Sequence, residues 1–219
     1  MSRSKSGVKP RALVKRLLAR YFSFVVTNGR RSGAARLCLT FDDGPHPDHT
    51  PCILDILNAK GARATFFVSG EEVSKYPELV RRMVEGGHQV GNHGYHHLRA
   101  RDTGTREYVR DIQACQDLLD GLSASHAGKA FRPPYGSVAP ISFALLLIMG
   151  YRFILWSADS EDSYIGDARG LVDKIKGMDL SNGEILLMHE DYKHTVEALP
   201  SVIEHIQGRG MELVRVCDI

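Results

Sequence analysis

Short apolar runs alternate with stretches of helical periodicity along most of this 219-residue chain. Residues 37–41, Leu-Cys-Leu-Thr-Phe, read as a strand that ends at Asp42 and Asp43 and cannot continue through Gly44-Pro45. Residues 50–60 carry Ile53, Leu54, Ile56 and Leu57 on one helical face, with Gly61 as the stop. The same alternation predicts strands at 64–68, 89–91, 153–156, 184–188 and 212–216, and an extended segment at 131–136 fixed by Pro133-Pro134. Helices are predicted at 71–85 (restarting at Pro77), 105–122, 139–149, 168–178 and 195–207. In the second of these Tyr108, Ile112, Cys115 and Leu119 keep one face. Strand and helix alternate about seven times, which calls for parallel strands with right-handed helical crossovers, in an open doubly wound sheet or a closed barrel.

Composition changes this picture at one end only. With 43% hydrophobic and 25% charged residues the chain supports one domain with a sizeable core. The net charge of +2 hides an asymmetry: residues 1–36 hold ten Lys or Arg and no acid, and beyond them 18 basic residues face 26 acidic ones. The chain therefore divides into a basic arm, 1–36, and a body, 37–219. Residues 1–10 read as disordered. From Arg11 onward Leu13, Val14, Leu17, Leu18, Tyr21, Phe22 and Val25 recur at helical spacing, with Lys15, Arg16 and Arg20 between them. The apolar stretch is too short to span a bilayer and lacks a signal-peptide core and cleavage site, so a cytoplasmic or membrane-peripheral protein is expected. Such a helix either packs on the outside of the domain or lies, through residues 11–26, on an anionic membrane; an organellar transit peptide is a third reading. No aromatic and basic interleaving marks the body, which argues against nucleic acid. Cys38, Cys52, Cys115 and Cys217 form no Cys-x-x-Cys pair and read as buried thiols, with a disulfide left open.

Polar candidates collect just past predicted strand ends, the rim on which parallel α/β architectures build sites. They are Asp42 and Asp43, His93 and His97, Arg132 and Tyr135, Asp159 and Asp162, and His189. His93 and His97 are four apart, so on one helical turn both imidazoles would grip one ion, while His96 would point away. With Asp43 they offer two nitrogens and one oxygen, a set suited to Zn2+ or a similar ion such as Co2+. Asp42 is then free to act as a base on water activated by the ion, held ionised by Arg132. His189 can give a proton to a leaving group, with Asp162 raising its pKa and fixing its tautomer.

Thr40-Phe41-Asp42-Asp43-Gly44, His93 to His97, Arg132-Pro133-Pro134-Tyr135, Asp159-Ser160-Glu161-Asp162 and Leu187-Met188-His189 together resemble, in order, the five motifs of the polysaccharide deacetylases. This is carbohydrate esterase family 4, with its nodulation chitooligosaccharide deacetylases. The resemblance covers residues 37–216, with Thr65-Phe66-Phe67, Thr195 and Ala198-Leu199-Pro200 as further similar pieces. It implies a distorted, incomplete (β/α)7 barrel and metal-dependent removal of N-acetyl groups from amino sugars in oligo- or polysaccharides. Carried over by position, Asp42 is the base, Asp43, His93 and His97 the ligands, and His189 the acid. The backbone N–H of Tyr135 stabilises the oxyanion, Leu187 lines the acetyl pocket, and Pro134 and Tyr164 border the substrate.

Three positions depart from the family pattern. Gly94 stands where Ser or Thr is usual, which removes a hydroxyl that would brace the loop, and Leu98 stands where Pro is common. Ser163 replaces the usual Trp, so a groove wall is missing unless Tyr164 supplies it. Two other readings compete: a deformylase or deacetylase of a lipid-linked sugar, which the basic arm would favour, and a non-catalytic carbohydrate-binding protein on the same fold.

Overall fold

The computed structural model describes residues 25–26, 35–124 and 128–219. Its central strand shows why the sequence folds as it does. In β2 (Arg36–Asp42) Leu37, Leu39 and Phe41 face a large core shared with the surrounding helices, and Cys38 faces a smaller inner cluster. Period-two alternation thus sends Cys38, Thr40 and Asp42 to the inner side of the sheet. β2 pairs in parallel with β3 (Thr65–Val68) on one side and with β8 (Glu184–His189) on the other, so Asp42 stands level with His189.

The remaining strands are β1 (Val25–Val26), β4 (Gln89–Asn92), β5 (Ala130–Phe131), β6 (Arg152–Ile154), β7 (Ala158–Asp159) and β9 (Glu212–Val214). The sheet order is β1-β6-β5-β4-β3-β2-β8-β7, with β9 joining the start of β2, and every pairing among the described residues is parallel. No pairing among them joins β7 back to β1, so the curved sheet is a half-barrel. The helices are α1 (His49–Ala59), α2 (Gly70–Lys75), α3 (Pro77–Glu85), α4 (Thr105–Gly121), α5 (Pro140–Ile148), α6 (Ala168–Lys176) and α7 (Lys193–Gly208). Ile53, Leu54 and Leu57 of α1 and Tyr108, Ile112, Cys115 and Leu119 of α4 are buried, on the faces the periodicity assigned. None of the described helices is long and apolar enough to cross a membrane.

Several expectations are corrected. The helical pattern of residues 11–25 lies outside the described residues except at its end, where Val25–Val26 is a strand on β6, with the Leu155 N–H donating to the Val26 carbonyl. β-branched valines suit that pleated setting, so the sheet begins before residue 37. The segment 131–136 is not extended throughout: β5 stops at Phe131 and Pro134–Gly136 is a 3-10 turn. The last strand ends at Val214, because the Val216 N–H turns away to donate to Thr65 Oγ1 at 3.0 Å. The cysteines are free thiols, and Cys52 is exposed on the solvent side of α1, whereas Cys38 and Cys115 are buried.

Candidate active site

Asp43, His93 and His97 come together just beyond β2 and β4. Asp43 Oδ1 lies 3.3 Å from His97 Nε2 and 3.5 Å from His93 Nε2, and one ligand atom from each residue fits within 4.8 Å of the others. His93 Nδ1 is 2.7 Å from the Arg132 carbonyl, which can only accept, so Nδ1 carries the proton and Nε2 presents a lone pair. His93 Nε2 and Asp43 Oδ1 therefore face one another as two acceptors, with His97 Nε2 beside them. Burial pushes the Asp43 carboxyl up to about 6, with His97 opposing and the charge of Asp42 adding to the rise. Burial also holds both His93 and His97 below the usual imidazole value. Such a cluster of neutral imidazoles and a crowded carboxylate fits a divalent cation, whose charge would favour the ionised acid and unprotonated rings.

The helical turn expected for residues 93–97 is not there. They form an irregular loop in which Gly94 (φ 83°) and His97 (φ 53°) turn the chain back on itself. What stabilises it is Asp111, a buried carboxylate on α4. Asp111 accepts from the backbone N–H of Tyr95 (2.8 Å) and of His96 (3.1 Å), and sits 2.7 Å from His96 Nδ1. His96 thus leaves the ligand cluster, as its position suggested. Sequence reasoning missed Asp111, although an acid three residues from Tyr108 on an otherwise apolar helix face was its signal. A Cβ at Gly94 would lie 3.0 Å from Asp111 Oδ2, so this carboxylate occupies the space beside the glycine.

Asp42 and Arg132 form the second part. The fully buried guanidinium donates to Asp42 Oδ1 at 2.7 Å, to Thr40 Oγ1 at 2.8 Å, and to the carbonyls of Ile154 and Leu155. Thr40 and Asp42 reach it together because they share the inner face of β2. Phe67 lies under the guanidinium, 4.2 Å to the ring centre. The other carboxylate oxygen of Asp42, Oδ2, is 3.7 Å from His93 Nε2.

His189 and Asp162 form the third. Asp162, fully buried, accepts from the His189 backbone N–H (2.7 Å) and from Thr195 Oγ1 (3.0 Å), and its Oδ1 is 2.7 Å from His189 Nδ1. Burial alone would lower the His189 pKa; the hydrogen bond and charge of Asp162 outweigh it and push it up to about 9. Burial alone would raise Asp162, and the bonds from His189 and Thr195 hold it below the ordinary carboxylate value instead. The ring nitrogen left to the cavity is Nε2.

Asp42, Asp43, His93, His97 and His189 line one cavity of about 560 Å3, bordered by Tyr135, Leu187, Ser163 and Tyr164. Arg132 and Asp162 lie behind Asp42 and His189 and do not reach it. Pro133 lines it, whereas Pro134 is buried at the start of the 3-10 turn, which corrects the substrate contact expected of Pro134. Tyr135 takes φ 59°, with its ring 4.7 Å from that of His97 and the Arg99 guanidinium 3.8 Å above it. Trp156 and Tyr192 supply walls that sequence reasoning did not assign. Also missed was Glu190, fully buried beneath Gly44, where any side chain would collide with its carboxylate. Glu190 accepts from Thr50 Oγ1, which itself accepts from the His46 N–H at 2.8 Å, and burial pushes the Glu190 carboxyl up to about 8.

A parallel half-barrel with a two-histidine, one-aspartate cluster on its rim, flanked by a carboxylate and a carboxylate-backed histidine, defines a class of metal-site α/β proteins. Within that class the chain belongs to the polysaccharide deacetylase family, whose model matches residues 29–154. It is 35% identical over 184 residues to the peptidoglycan-N-acetylglucosamine deacetylase PgdA of Listeria monocytogenes, covering 84% of this chain and 38% of that one. It is 31% identical over 192 residues to a chitooligosaccharide deacetylase of Azorhizobium caulinodans, covering 80% of this chain and 90% of that one. Among solved structures, the Bc1960 peptidoglycan N-acetylglucosamine deacetylase superimposes with a TM-score of 0.83 at 29% identity, covering 96% of both chains. The peptidoglycan deacetylase PdaC of Bacillus subtilis superimposes with a TM-score of 0.79 at 32% identity, covering 85% of this chain and 90% of that chain. The chain spans about two fifths of the length of PgdA.

Proposed function

We propose that this protein is a metal-dependent hydrolase that removes N-acetyl groups from amino sugars in an oligo- or polysaccharide of peptidoglycan or chitin type. The observation that carries the proposal is that Asp42 and His189 open onto the same cavity as the Asp43, His93 and His97 cluster. Hydrolysis of an amide needs a base for the attacking water and an acid for the departing nitrogen, both within reach of one carbonyl.

Asp43, His93 and His97 would hold the ion, which when bound lowers the pKa of water and polarises a carbonyl. Asp42, aimed by the Arg132 guanidinium, accepts the proton of the attacking water. The water oxygen forms the new bond to the acetyl carbon, and the developing oxyanion meets the backbone N–H of Tyr135. As the carbon–nitrogen bond breaks, His189 Nε2 protonates the nitrogen, which leaves as an amine while acetate is released. Asp162 stabilises the imidazolium that must exist beforehand. Leu187, almost fully buried on the cavity wall, would face the acetyl methyl.

Named relatives act on peptidoglycan N-acetylglucosamine and on chitooligosaccharides. The complete acid, base and ligand set argues against a purely binding role. The deciding assay measures acetate released from chitooligosaccharides, peptidoglycan fragments and acetyl-xylan before chelation, after it, and after adding back Zn2+ or Co2+. Release that survives exhaustive chelation would remove the metal from the mechanism, and no release from any amino-sugar substrate would remove the function.

A further inference from the structure

The described residues lining the catalytic cavity include three carboxylates, Asp42, Asp43 and Asp159, and Arg99 alone among Lys and Arg. Each acid is already engaged. Asp42 is paired with Arg132, Asp43 belongs to the ligand cluster, and Asp159 Oδ1 accepts from the Glu161 N–H at 2.9 Å. Arg99 is not engaged in this way. Its ion pair, from Nε to Asp102 Oδ2, is 3.8 Å long, and that carboxylate is 64% exposed and also meets Arg101 at 3.5 Å. A pair so long, open to water and shared holds a guanidinium only weakly. The two terminal nitrogens of Arg99 donate to none of the described residues.

Stacking and backbone, rather than charge, fix this side chain. The guanidinium lies 3.8 Å from the centre of the Tyr135 ring, which stands 4.7 Å from the ring of the proposed ligand His97. The Arg99 carbonyl accepts from the Asp102 N–H and from Thr103 Oγ1, each at 3.0 Å, and the next residue, Ala100, is buried in the cluster with Tyr108 and Phe131. The loop is thus anchored directly behind Arg99. A guanidinium lying on a ring keeps the N–H groups of its edge free, and their planar fork matches a carboxylate through two parallel bonds. The charge therefore faces the cavity already positioned and without an acceptor, one ring away from the ligand cluster. Without it the cavity wall would hold no fixed cation and three acids, and would repel an anionic glycan. Chitin-type chains carry no charge that needs such a group. Peptidoglycan-type chains do, in the carboxylate of the lactyl ether or of the peptide joined to it.

We propose that Arg99 selects glycans that carry a carboxylate beside the N-acetylated sugar, an inference that rests on the hydrolase reading of the same cavity and narrows it to substrates of peptidoglycan type. The test compares N-acetylglucosamine joined to N-acetylmuramic acid, the same disaccharide with a dipeptide on its lactyl group, the methyl esters of both, and diacetylchitobiose. Binding to the chelated full-length protein is measured by calorimetry, which needs no turnover, and kcat/KM for acetate release is measured with metal added. The parent should favour at least one acid over its ester by about tenfold or more, and the compound that shows the preference identifies the lactyl or the peptide carboxylate as the source. Arg99→Gln should bring that acid-to-ester ratio close to one, and Arg99→Lys, which keeps the charge without the fork, should retain part of it. Thermal unfolding checks that both variants are folded. Equal binding of acid and ester by the parent overturns the proposal. So does an Arg99→Gln protein that weakens acid, ester and diacetylchitobiose by the same factor, since Arg99 would then act only by holding Tyr135. An Arg99-dependent preference in binding without acetate release would support the proposal and remove the hydrolase reading, and acetate release without the preference would do the reverse.

Discussion

Replacing Asp162 by Asn tests the proposed acid, because it removes a charge from behind His189 while leaving a side chain of nearly the same shape. In the intact protein the Asp162 carboxylate holds His189 at about 9 against the opposing pull of burial. Without the charge, burial remains, and the His189 pKa should fall to the ordinary imidazole value of about 6.5 or lower. The protonated fraction then falls about fourfold at pH 7, about 30-fold at pH 8 and about 150-fold at pH 9, taking pKa values of 9 and 6.5. The expected signature is thus a deficit in kcat/KM that grows with pH, with the alkaline limb moved down by two units or more. The Asn amide cannot accept from both His189 N–H groups and Thr195 at once, so a structural cost of about 1–3 kcal/mol should also appear. Thermal unfolding measures that cost separately, and it does not predict a slope against pH. The assay is acetate release from a chitooligosaccharide across pH 6 to 10 with metal in excess. A rate deficit that is constant with pH, or an alkaline limb that does not move, would refute the assignment of His189 as the acid and of Asp162 as its support.

The other predictions concern the ligands, the base, stability and the chain's start. His93→Ala and His97→Ala should each lose bound metal by mass spectrometry, whereas His96→Ala should keep it; tight binding in the first two would mean the cluster is misassigned. Asp42→Asn should lose at least about 10²-fold in turnover without losing metal, since the proposed base is gone and the ligands remain; an emptied metal site would show Asp42 to be a ligand. Asp42→Ala should in addition cost about 3–5 kcal/mol in denaturant unfolding, because it leaves the buried Arg132 unpaired. The His189 contribution to stability should be full below about 6.5 and lost as pH rises through about 9, and that of Asp162 should be present above its ordinary value near 3.9 and lost as pH falls below it. Thermal unfolding of the metal-free protein should follow both limits, and a midpoint that stays level through pH 9 would contradict the pairing. Deleting residues 1–24 should leave the melting temperature near that of the parent, whereas deleting 1–34 removes β1 from β6 and should lower it; equal melting temperatures would make β1 dispensable.

Most of the fold was legible because its signals are local. Leu37, Leu39 and Phe41 show the outward half of the β2 alternation, and Gly44-Pro45 marks its end, which is enough to place Asp42 and Asp43 on a rim. Strands of two residues carry no such signal. Ala158–Asp159 lies in a stretch that reads as loop, and Val25–Val26 continues a helical pattern until β6 claims it. In the site the side chains that line the cavity were legible, as were Arg132 behind Asp42 and Asp162 behind His189, but Asp111 and Glu190 were not. Asp111 acts on a loop 15 residues away and Glu190 on Thr50, 140 residues away, and such contacts exist only once the sheet has brought strand ends together. The His93 and His97 spacing pointed to two rings that the structure does bring together, but through a loop held by Asp111 rather than through a helical turn.

Arg132 shows how strictly these parts depend on one another. Its side chain fixes Asp42, and its own carbonyl fixes the His93 tautomer, so one residue leaving β5 serves both the proposed base and a proposed ligand. A buried guanidinium is costly, and it is tolerated here because its donors meet Asp42, Thr40 and the carbonyls of Ile154 and Leu155 while Phe67 covers its face. A lysine has three donors on one point and no planar face, so it could not span β2, β5 and the chain leaving β6 in the same way. The groove walls carry no comparable demand. Ser163 is exposed in place of a large ring, and Tyr164 is 88% exposed beside it, so neither is held by packing. The proposed chemistry at the floor of the cavity is therefore held by the sheet, whereas the part of the wall formed by Ser163 and Tyr164 can change without disturbing it and is where a proposed choice of glycan would be made.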